Sequence, residues 1–181
     1  SNSVGTRMTA ISNVPAQVNL VGVSPDRHMI AFGAHDGSAY DPLLIRWSDQ
    51  EDNTTWAAGA ANTAGSKKIE TGTKVVAFSR ASRQIIILTD ASAWGMQFVG
   101  PPFTFSFQEI GKKCGAVGPK SSVSVDDSTY WMGNNSFFRY NGTVKSSPCT
   151  VRDYVFGRMH PDRKDQTFAS SVKEFNEIWW F

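Results

Sequence analysis

Short apolar runs alternate with polar, turn-forming stretches along most of this 181-residue chain. Four segments share one plan, in which a polar turn leads into an apolar run: "SPDRHMIAFG", "SRASRQIIILTD", "VDDSTYWMG" and "VKEFNEIWWF". The runs begin near Met29, Ile85, Thr129 and Glu177, at intervals of 56, 44 and 48 residues. Short runs bounded by Gly, Asn, Asp and Ser are typical of β-strands. The pattern therefore predicts an all-β chain built from repeated units.

In the first three units, a turn joins the apolar run to a second strand. "IIILTD" turns through Ala91 and Ser92 into "AWGMQFVG", and "TYWMG" turns at Asn134 and Asn135 into "SFFRYNG". "MIAFG" reaches "LLIRWSD" through a longer turn in which Gly37 can adopt a positive φ. Because a lone hairpin is only marginally stable, these units must pack on one another.

Repeats of about 40 to 50 residues are typical of β-propeller blades. We therefore predict propeller-like blades of antiparallel strands, about three of them plus the start of a fourth. Together they form a single partial propeller domain over residues 1–181, expected to be a fragment of a longer protein.

The fourth unit ends in "IWWF", which we interpret as the inner strand of a fourth blade whose partner strand is missing from this chain. An apolar strand with an open edge invites pairing with another chain. We predict that Trp179, Trp180 and Phe181 form a self-association edge, by strand addition or swapping.

The stretch "SPCTVRDYVFGRMH" departs from the β pattern and predicts one short helix. Thr150 followed by Asp153 is similar to a capping box, and Gly157 is a candidate helix stop. Val151, Tyr154 and Val155 fall on one helical face, which we expect to cover a sheet.

Composition and charge narrow the function classes. The chain is 40% hydrophobic and 19% charged, as in ordinary globular proteins, and its net charge is only +2. Without a basic block, sequence-specific nucleic-acid binding is not expected. No apolar run approaches the ~20 residues that span a bilayer, and residues 1–15 lack a secretion signal. We expect a soluble product made in the cytoplasm, without membrane contact, in which Cys114 and Cys149 are reduced.

Candidate chemistry is sparse. His28 and His35 could join Asp26 and Asp36 around a metal, but the spacing is not a ligand motif, and solvated turn residues are the favoured interpretation. Nucleophile, phosphate-loop and zinc motifs are not found. We predict no catalytic residue, no cofactor and no metal.

One acidic segment leaves an alternative open. "SDQEDNTTW", residues 48 to 56, resembles a degenerate Asp-box, a structural turn of sialidase-like propellers, with Asn53 in the position of a left-handed Gly. Asp49, Glu51 and Asp52 could instead supply the paired carboxylates of glycoside hydrolysis. Trp47, Trp56 and Trp94 could stack on sugars, although tryptophans in blades more often fill gaps between sheets. A carbohydrate-binding or glycan-cleaving propeller is therefore the alternative function.

Four longer phrases carry a family resemblance: "DGSAYDPLLIRWSDQEDNTTWAAGAANTAGS", "ILTDASAWGMQFVGPPFTF", "PCTVRDYVF" and "EFNEIWWF". With them the chain, over nearly all of residues 27 to 181, resembles the structural tail proteins of short-tailed bacteriophages, described as nozzle or packaged-DNA stabilisation proteins.

The resemblance implies a propeller-bearing virion protein that forms a homo-oligomeric ring beneath the head-tail connector and helps to retain and release DNA. Its implied partners are other copies of itself and neighbouring tail or connector proteins, and its implied location is the virion tail. Members of that family are longer than this chain. The segments that form the ring in that family need not lie within these residues, so the resemblance does not imply ring assembly for this chain by itself.

Overall fold

A computed structural model describes residue 11 and residues 13–181, and its strands form four antiparallel sheets in chain order. Residues 1–10, which include most of the region searched for a secretion signal, lie outside the described part. The first sheet contains β1 (Val18–Val23), β2 (Met29–His35), β3 (Tyr40–Trp47) and β4 (Gly65–Lys68). The second contains β5 (Val75–Arg80), β6 (Ile85–Thr89), β7 (Ser92–Gly100) and β8 (Thr104–Lys112). The third contains β9 (Ser122–Val125), β10 (Ser128–Met132), β11 (Phe137–Tyr140) and β12 (Val144–Ser147). The fourth contains β13 (Ala169–Val172) and β14 (Glu177–Trp180). A helix α1 (Arg152–Arg158) and a 3-10 helix (Pro161–Gln166) connect the third sheet to the fourth.

The predicted all-β class is confirmed, because 49% of the structure is strand and every sheet is antiparallel. In the first three sheets, each strand pairs with the next one along the chain. The three predicted hairpins are present as β2–β3, β6–β7 and β10–β11, and Gly37 has φ 118°. The repeat is therefore a four-stranded meander, seen complete three times.

The apolar runs that set the predicted repeat are the second strands of their sheets, not the first. The second strands begin at Met29, Ile85, Ser128 and Glu177, close to the predicted positions. Consequently "IWWF" is not the inner strand of a unit: β13 precedes it and pairs with it in the register Ala169↔Trp180 to Val172↔Glu177. The prediction that this strand lacks a partner in the chain was wrong for one of its two edges.

Two apolar cores lie on opposite faces of the second sheet. One core joins the first and second sheets, with Phe32 stacked on Phe78 at 4.5 Å between ring centroids. The other joins the second and third sheets around Trp131, which is fully buried and whose Nε1 donates to the Cys114 carbonyl oxygen at 2.7 Å. Because both faces of the second sheet are covered, its central strand β6 is buried throughout. Strands buried on both faces read as continuous apolar runs, as "IIIL" does.

The first strands of successive sheets lie next to one another. Asn19 in β1 donates through Nδ2 to the Val75 carbonyl oxygen in β5. The Ser79 and Ser124 hydroxyls, in β5 and β9, are 2.7 Å apart. Lys120 and Phe168, which lie just before β9 and β13, form a parallel bridge. The four sheets are thus stacked in chain order with their first strands side by side.

Helix α1 is present, but its predicted caps are not. Val151 is the N-cap and makes no side-chain capping bond, whereas Gly157 lies inside the helix and Met159 ends it. The predicted apolar face is also wrong, since Val151 and Tyr154 are exposed. The neighbouring Phe156 contacts the third sheet instead, with its ring centroid 5.3 Å from that of Phe137. The helix therefore covers the sheet through a residue that the periodicity analysis left out.

Candidate functional site

The terminal hairpin β13–β14 is where the sequence predicted self-association. Phe168 and Phe181 exchange two backbone hydrogen bonds, of 3.1 and 3.0 Å, that extend the pairing beyond the strand ends. In each of the other sheets the second strand pairs on both sides, whereas β14 pairs only with β13 within the described residues. The predicted open edge therefore exists on one side of β14.

The three predicted residues divide between the two faces of this hairpin. Trp180 faces the third sheet: its Nε1 donates to the Ser121 carbonyl oxygen at 3.0 Å, and its ring lies 4.8 Å from that of Phe137. Trp179 and Phe181 point away and are 46% and 59% exposed. Phe168, which the sequence analysis missed, stacks on Phe181 at 4.9 Å and extends the same exposed face.

The acidic loop between β3 and β4 is held by its own carboxylates. Asp49 Oδ1 accepts from the Thr63 amide at 2.8 Å and from the Thr63 hydroxyl at 2.5 Å. Asp52 accepts from the hydroxyls of Thr54 and Thr55 at 2.6 and 2.7 Å. Glu51, at φ 59°, takes the left-handed position that was predicted for Asn53, and it pairs with Arg27. The residue predicted for the left-handed position was therefore wrong.

Hydrogen bonds lower the pKa of two carboxyl groups in this loop, those of Asp49 and Asp52. The Thr63 hydroxyl and amide lower the pKa of Asp49, and the hydroxyl and amide of Thr54 lower the pKa of Asp52 to about 2. Both groups are therefore ionised at neutral pH. The general acid of a glycosidase needs a raised pKa, so that it carries a proton at working pH. The surroundings of Asp49 and Asp52 suit a structural turn better than acid catalysis.

The three tryptophans proposed for sugar stacking are all buried. Trp47 packs in the core between the first and second sheets, with its ring centroid 5.3 Å from that of Phe105. Trp56 covers Ala31 and Ala34 on the outer face of the first sheet. Trp94 lies in the same core as Trp47, and its Nε1 donates to the Thr71 hydroxyl at 2.9 Å. The gap-filling interpretation is confirmed for Trp47 and Trp94, which lie between two sheets, whereas Trp56 fills no such gap. None of the three rings presents a face to solvent.

His28 was expected to be a solvated turn residue, and that prediction was wrong. Its side chain is fully buried against Phe98 and Phe105 of the β7–β8 hairpin. Its Nε2 lies 3.1 Å from the Thr63 hydroxyl, which already donates its proton to Asp49. The His28 ring therefore donates through Nε2–H. Burial lowers the His28 pKa, and the charges of Asp26 and Asp49 oppose that shift only in part.

Thr63 lies at the centre of this partly buried network. Its carbonyl oxygen accepts from Trp47 Nε1 at 2.8 Å and from the Thr104 hydroxyl of the second sheet at 3.1 Å. Its hydroxyl bonds Asp49 and His28. One residue of an irregular loop thus joins the first sheet, the loop itself and the β7–β8 hairpin.

His35 caps the turn after β2 by accepting from the Gly37 amide at 3.0 Å. Within the described residues no group of three or more His, Cys, Asp or Glu side chains is arranged to hold a metal.

Cys114 and Cys149 are free thiols, and burial raises the pKa of Cys114 to about 11. Among the helices that the structure describes, none has the length and apolar character to cross a membrane.

An open cavity of about 500 Å³ lies between the second and third sheets, and the sequence analysis did not anticipate it. Phe138 forms part of its apolar wall, while Glu109, Lys112 and Asn135 contribute polar groups at its rim. The Glu109 carboxylate accepts from the Thr71 hydroxyl at 2.9 Å and lies 3.6 Å from Lys112 Nζ. The cavity has the size and the mainly apolar lining of a small-molecule site.

Comparison with known proteins returned no assignment. No protein-family model matches the chain, and a search of curated proteins found no match either.

Proposed function

We propose that this chain is a non-enzymatic structural component of a bacteriophage tail. In this proposal it belongs to the nozzle or hub below the head-tail connector, where it helps to retain and release DNA. The observation that carries the proposal is the stack of meander sheets, which leaves an aromatic face exposed at its last sheet. A stack of this kind is suited to assembly, because terminal units of repeat proteins need a cap or a neighbour.

A partial β-propeller is the architecture that we propose for the stack. Blades of a propeller are four-stranded meanders whose first strands surround a central axis. The three complete meanders and the neighbouring first strands support this assignment. The fourth sheet then corresponds to the first two strands of another blade. Small-angle scattering tests the shape: a curved stack of sheets is expected, and a straight one would contradict the propeller.

A structural role is also supported by the state of the polar groups. Among the described residues, no buried side-chain nitrogen or oxygen lacks a hydrogen-bond partner. Among the carboxyl groups whose pKa is lowered, Asp36, Asp49 and Asp52 are held by turns of their own loops, whereas Asp41 and Asp90 are held by residues of a neighbouring strand and a neighbouring loop. Fully satisfied polar networks make a fold rigid, which suits a component that must keep its shape in an assembly.

Electron microscopy of purified virions, with a label fused to this protein, tests the proposal. The label is expected at the tail, next to the connector. A label that is absent from virions, or that lies on the capsid shell, would refute it. Genes for portal and adaptor proteins beside the coding sequence would provide independent support.

The cavity between the second and third sheets favours carbohydrate binding as a second candidate function. A glycan array tests it with the unchanged chain and with Asn135→Ala, which alters the rim. Asn141→Ala is the matched control, because Asn141 lies in another turn and does not line this cavity. Specific binding that is lost only in Asn135→Ala would favour the second candidate. An array without binding would remove it.

A further inference from the structure

One asparagine of this chain lies directly before a glycine, in an exposed turn of the third sheet. Of the nine asparagines in the sequence, only Asn141 is followed by Gly, at position 142. Asn141, Gly142 and Thr143 form the turn between β11 and β12, and all three residues are exposed. The strand pairing next to this turn ends at Tyr140↔Val144. The turn is therefore short, accessible to water and outside the regular pairing of the sheet.

Two groups of this turn that can react with each other have no other partner. Within the described residues, neither the Gly142 N–H group nor the Asn141 side-chain amide makes a hydrogen bond. Gly142 has φ 98°, and no atom lies within 4 Å of the position that a Cβ would occupy there. Glycine also leaves the backbone freer to rotate than other residues do. The Gly142 nitrogen can therefore approach the Asn141 side-chain carbonyl carbon without giving up a hydrogen bond of its own.

Other loop asparagines lie where the same approach is opposed. After Asn53 and Asn62, the next backbone amide is held by a carboxylate of the acidic loop, at 2.7 and 2.8 Å. Asn134 and Asn135 are exposed in the turn between β10 and β11, but the residue that follows each of them carries a side chain, which hinders the attack. The structure thus distinguishes Asn141 from these neighbours by a free amide and an open approach.

We propose that Asn141 is a self-modifying site, at which the chain converts its own side-chain amide to a carboxylate. The Gly142 nitrogen attacks Asn141 Cγ and loses its proton, the Cγ–Nδ2 bond breaks, and ammonia leaves. A cyclic imide remains, and water opens it at one of its two carbonyl carbons. The products are aspartate and isoaspartate, in which the main chain runs through the former side chain. Proximity within one turn favours this intramolecular step. It goes beyond the structural role proposed above and does not depend on it.

The modification would place a new charge beside a contact between the second and third sheets. The Tyr140 hydroxyl accepts from Gln84 Nε2 at 2.7 Å, and Asn141 and Asp127 line an open cavity next to this contact. A carboxylate at position 141 adds a like charge near Asp127, and like charges repel. Isoaspartate also lengthens the main chain where β11 and β12 must stay in register. We therefore expect the β11–β12 pairing to weaken after the reaction, while β1–β4 keeps its pairing.

Peptide mapping by mass spectrometry tests the proposal on the full, folded chain. The protein is incubated at pH 8 and at pH 6 and digested after increasing times, and the peptides that contain Asn134, Asn135 and Asn141 are compared. Asn141→Gln moves the carbonyl carbon one methylene away, and Gly142→Ala hinders the attacking nitrogen. Asn135→Gln is the matched control in the neighbouring turn. Circular dichroism and thermal unfolding establish that each variant is folded.

Asn141 is expected to convert to two products of equal mass that elute separately, faster at pH 8 than at pH 6. Its rate is expected to exceed that of Asn134 and Asn135 at least about tenfold, a difference of about 1.4 kcal/mol in the barrier. The reaction should be lost in Asn141→Gln, slowed by a similar factor in Gly142→Ala and unchanged in Asn135→Gln.

An Asn141 that stays unmodified, or that reacts no faster than Asn134 and Asn135, would overturn the proposal. Hydrogen exchange of the aged protein then tests the structural consequence. Protection is expected to fall in β11–β12 and to stay unchanged in β1–β4, and unchanged protection in β11–β12 of the modified chain would refute the expected weakening. These results are independent of the label position in virions.

Discussion

Trp131 offers a direct measure of how firmly the second and third sheets are joined. The side chain has no exposed surface, stacks on Phe138 at 5.6 Å and donates through Nε1 to the Cys114 carbonyl oxygen. Replacing a buried aromatic residue with alanine costs about 3–5 kcal/mol, because apolar burial is lost and a cavity remains. A domain is stable by only about 5–15 kcal/mol. Trp131→Ala is therefore expected to remove a large share of the free energy of unfolding.

Trp131→Phe separates packing from the hydrogen bond. Phenylalanine keeps part of the apolar contact, but the Cys114 carbonyl oxygen loses its indole donor. Leaving a buried acceptor without a partner costs about 1–3 kcal/mol. The expected order of stability is wild type, then Trp131→Phe, then Trp131→Ala.

Urea unfolding followed by far-UV circular dichroism measures these differences, and hydrogen exchange locates them. Protection is expected to fall more in β9–β12 than in β1–β4, because each sheet of a stack contacts only its neighbours. Phe103→Ala is the control: Phe103 is 76% exposed, so its truncation is expected to change stability by no more than about 0.5 kcal/mol. A Trp131→Ala variant as stable as this control would refute the packing described here, as would equal loss of protection in all sheets.

Three further predictions concern the remaining parts of the stack. Because the pKa of His28 is lowered in the folded chain, the contribution of neutral His28 to stability is complete above the unfolded pKa of ~6.5 and is lost as pH falls below that value. The urea midpoint of unfolding should therefore drop between pH 7.5 and 5.5, and the variant His28→Gln should show a smaller drop. Gly22→Ala should destabilise the fold by about 1–3 kcal/mol, since a Cβ would lie 2.7 Å from the Phe78 ring. Gly157→Ala in α1 places a Cβ where it meets no neighbour, and it should stabilise the fold by up to about 1 kcal/mol. Thermal unfolding measures both changes. Cys149 should react with a thiol reagent at pH 8 long before Cys114, whose thiol is buried with a pKa of about 11, and equal rates would contradict this assignment.

The repeat was predictable because one strand of each unit carries a dense apolar signal. The second strands are buried or aromatic along much of their length, as "IIILT" and "STYWM" show. The first strands of the last two units, "SVSV" and "ASSV", consist mainly of small and polar residues and resemble loops. A sequence pattern reveals strands with a high apolar content, but it does not reveal polar strands that lie beside one another only in the fold. For this reason β13 was missed.

Site predictions failed where the tertiary structure determines the environment. His28 has the sequence surroundings of an exposed turn, but the β7–β8 hairpin and Thr63 enclose it. Trp180 and Trp179 are adjacent and chemically identical, yet strand alternation packs one against Phe137, where it is partly buried, and exposes the other. Choosing between them requires the register with β13, which no local pattern supplies.

The Thr63 network has a mechanical consequence for the long loop after β3. Residues 57–61 are exposed, whereas Trp56 on one side and Thr63 on the other are tied to the sheets by side-chain and backbone hydrogen bonds. A protease that cuts within 57–61 would therefore sever the chain without releasing either end. The nicked protein would stay together under native conditions and separate into two fragments only in denaturant.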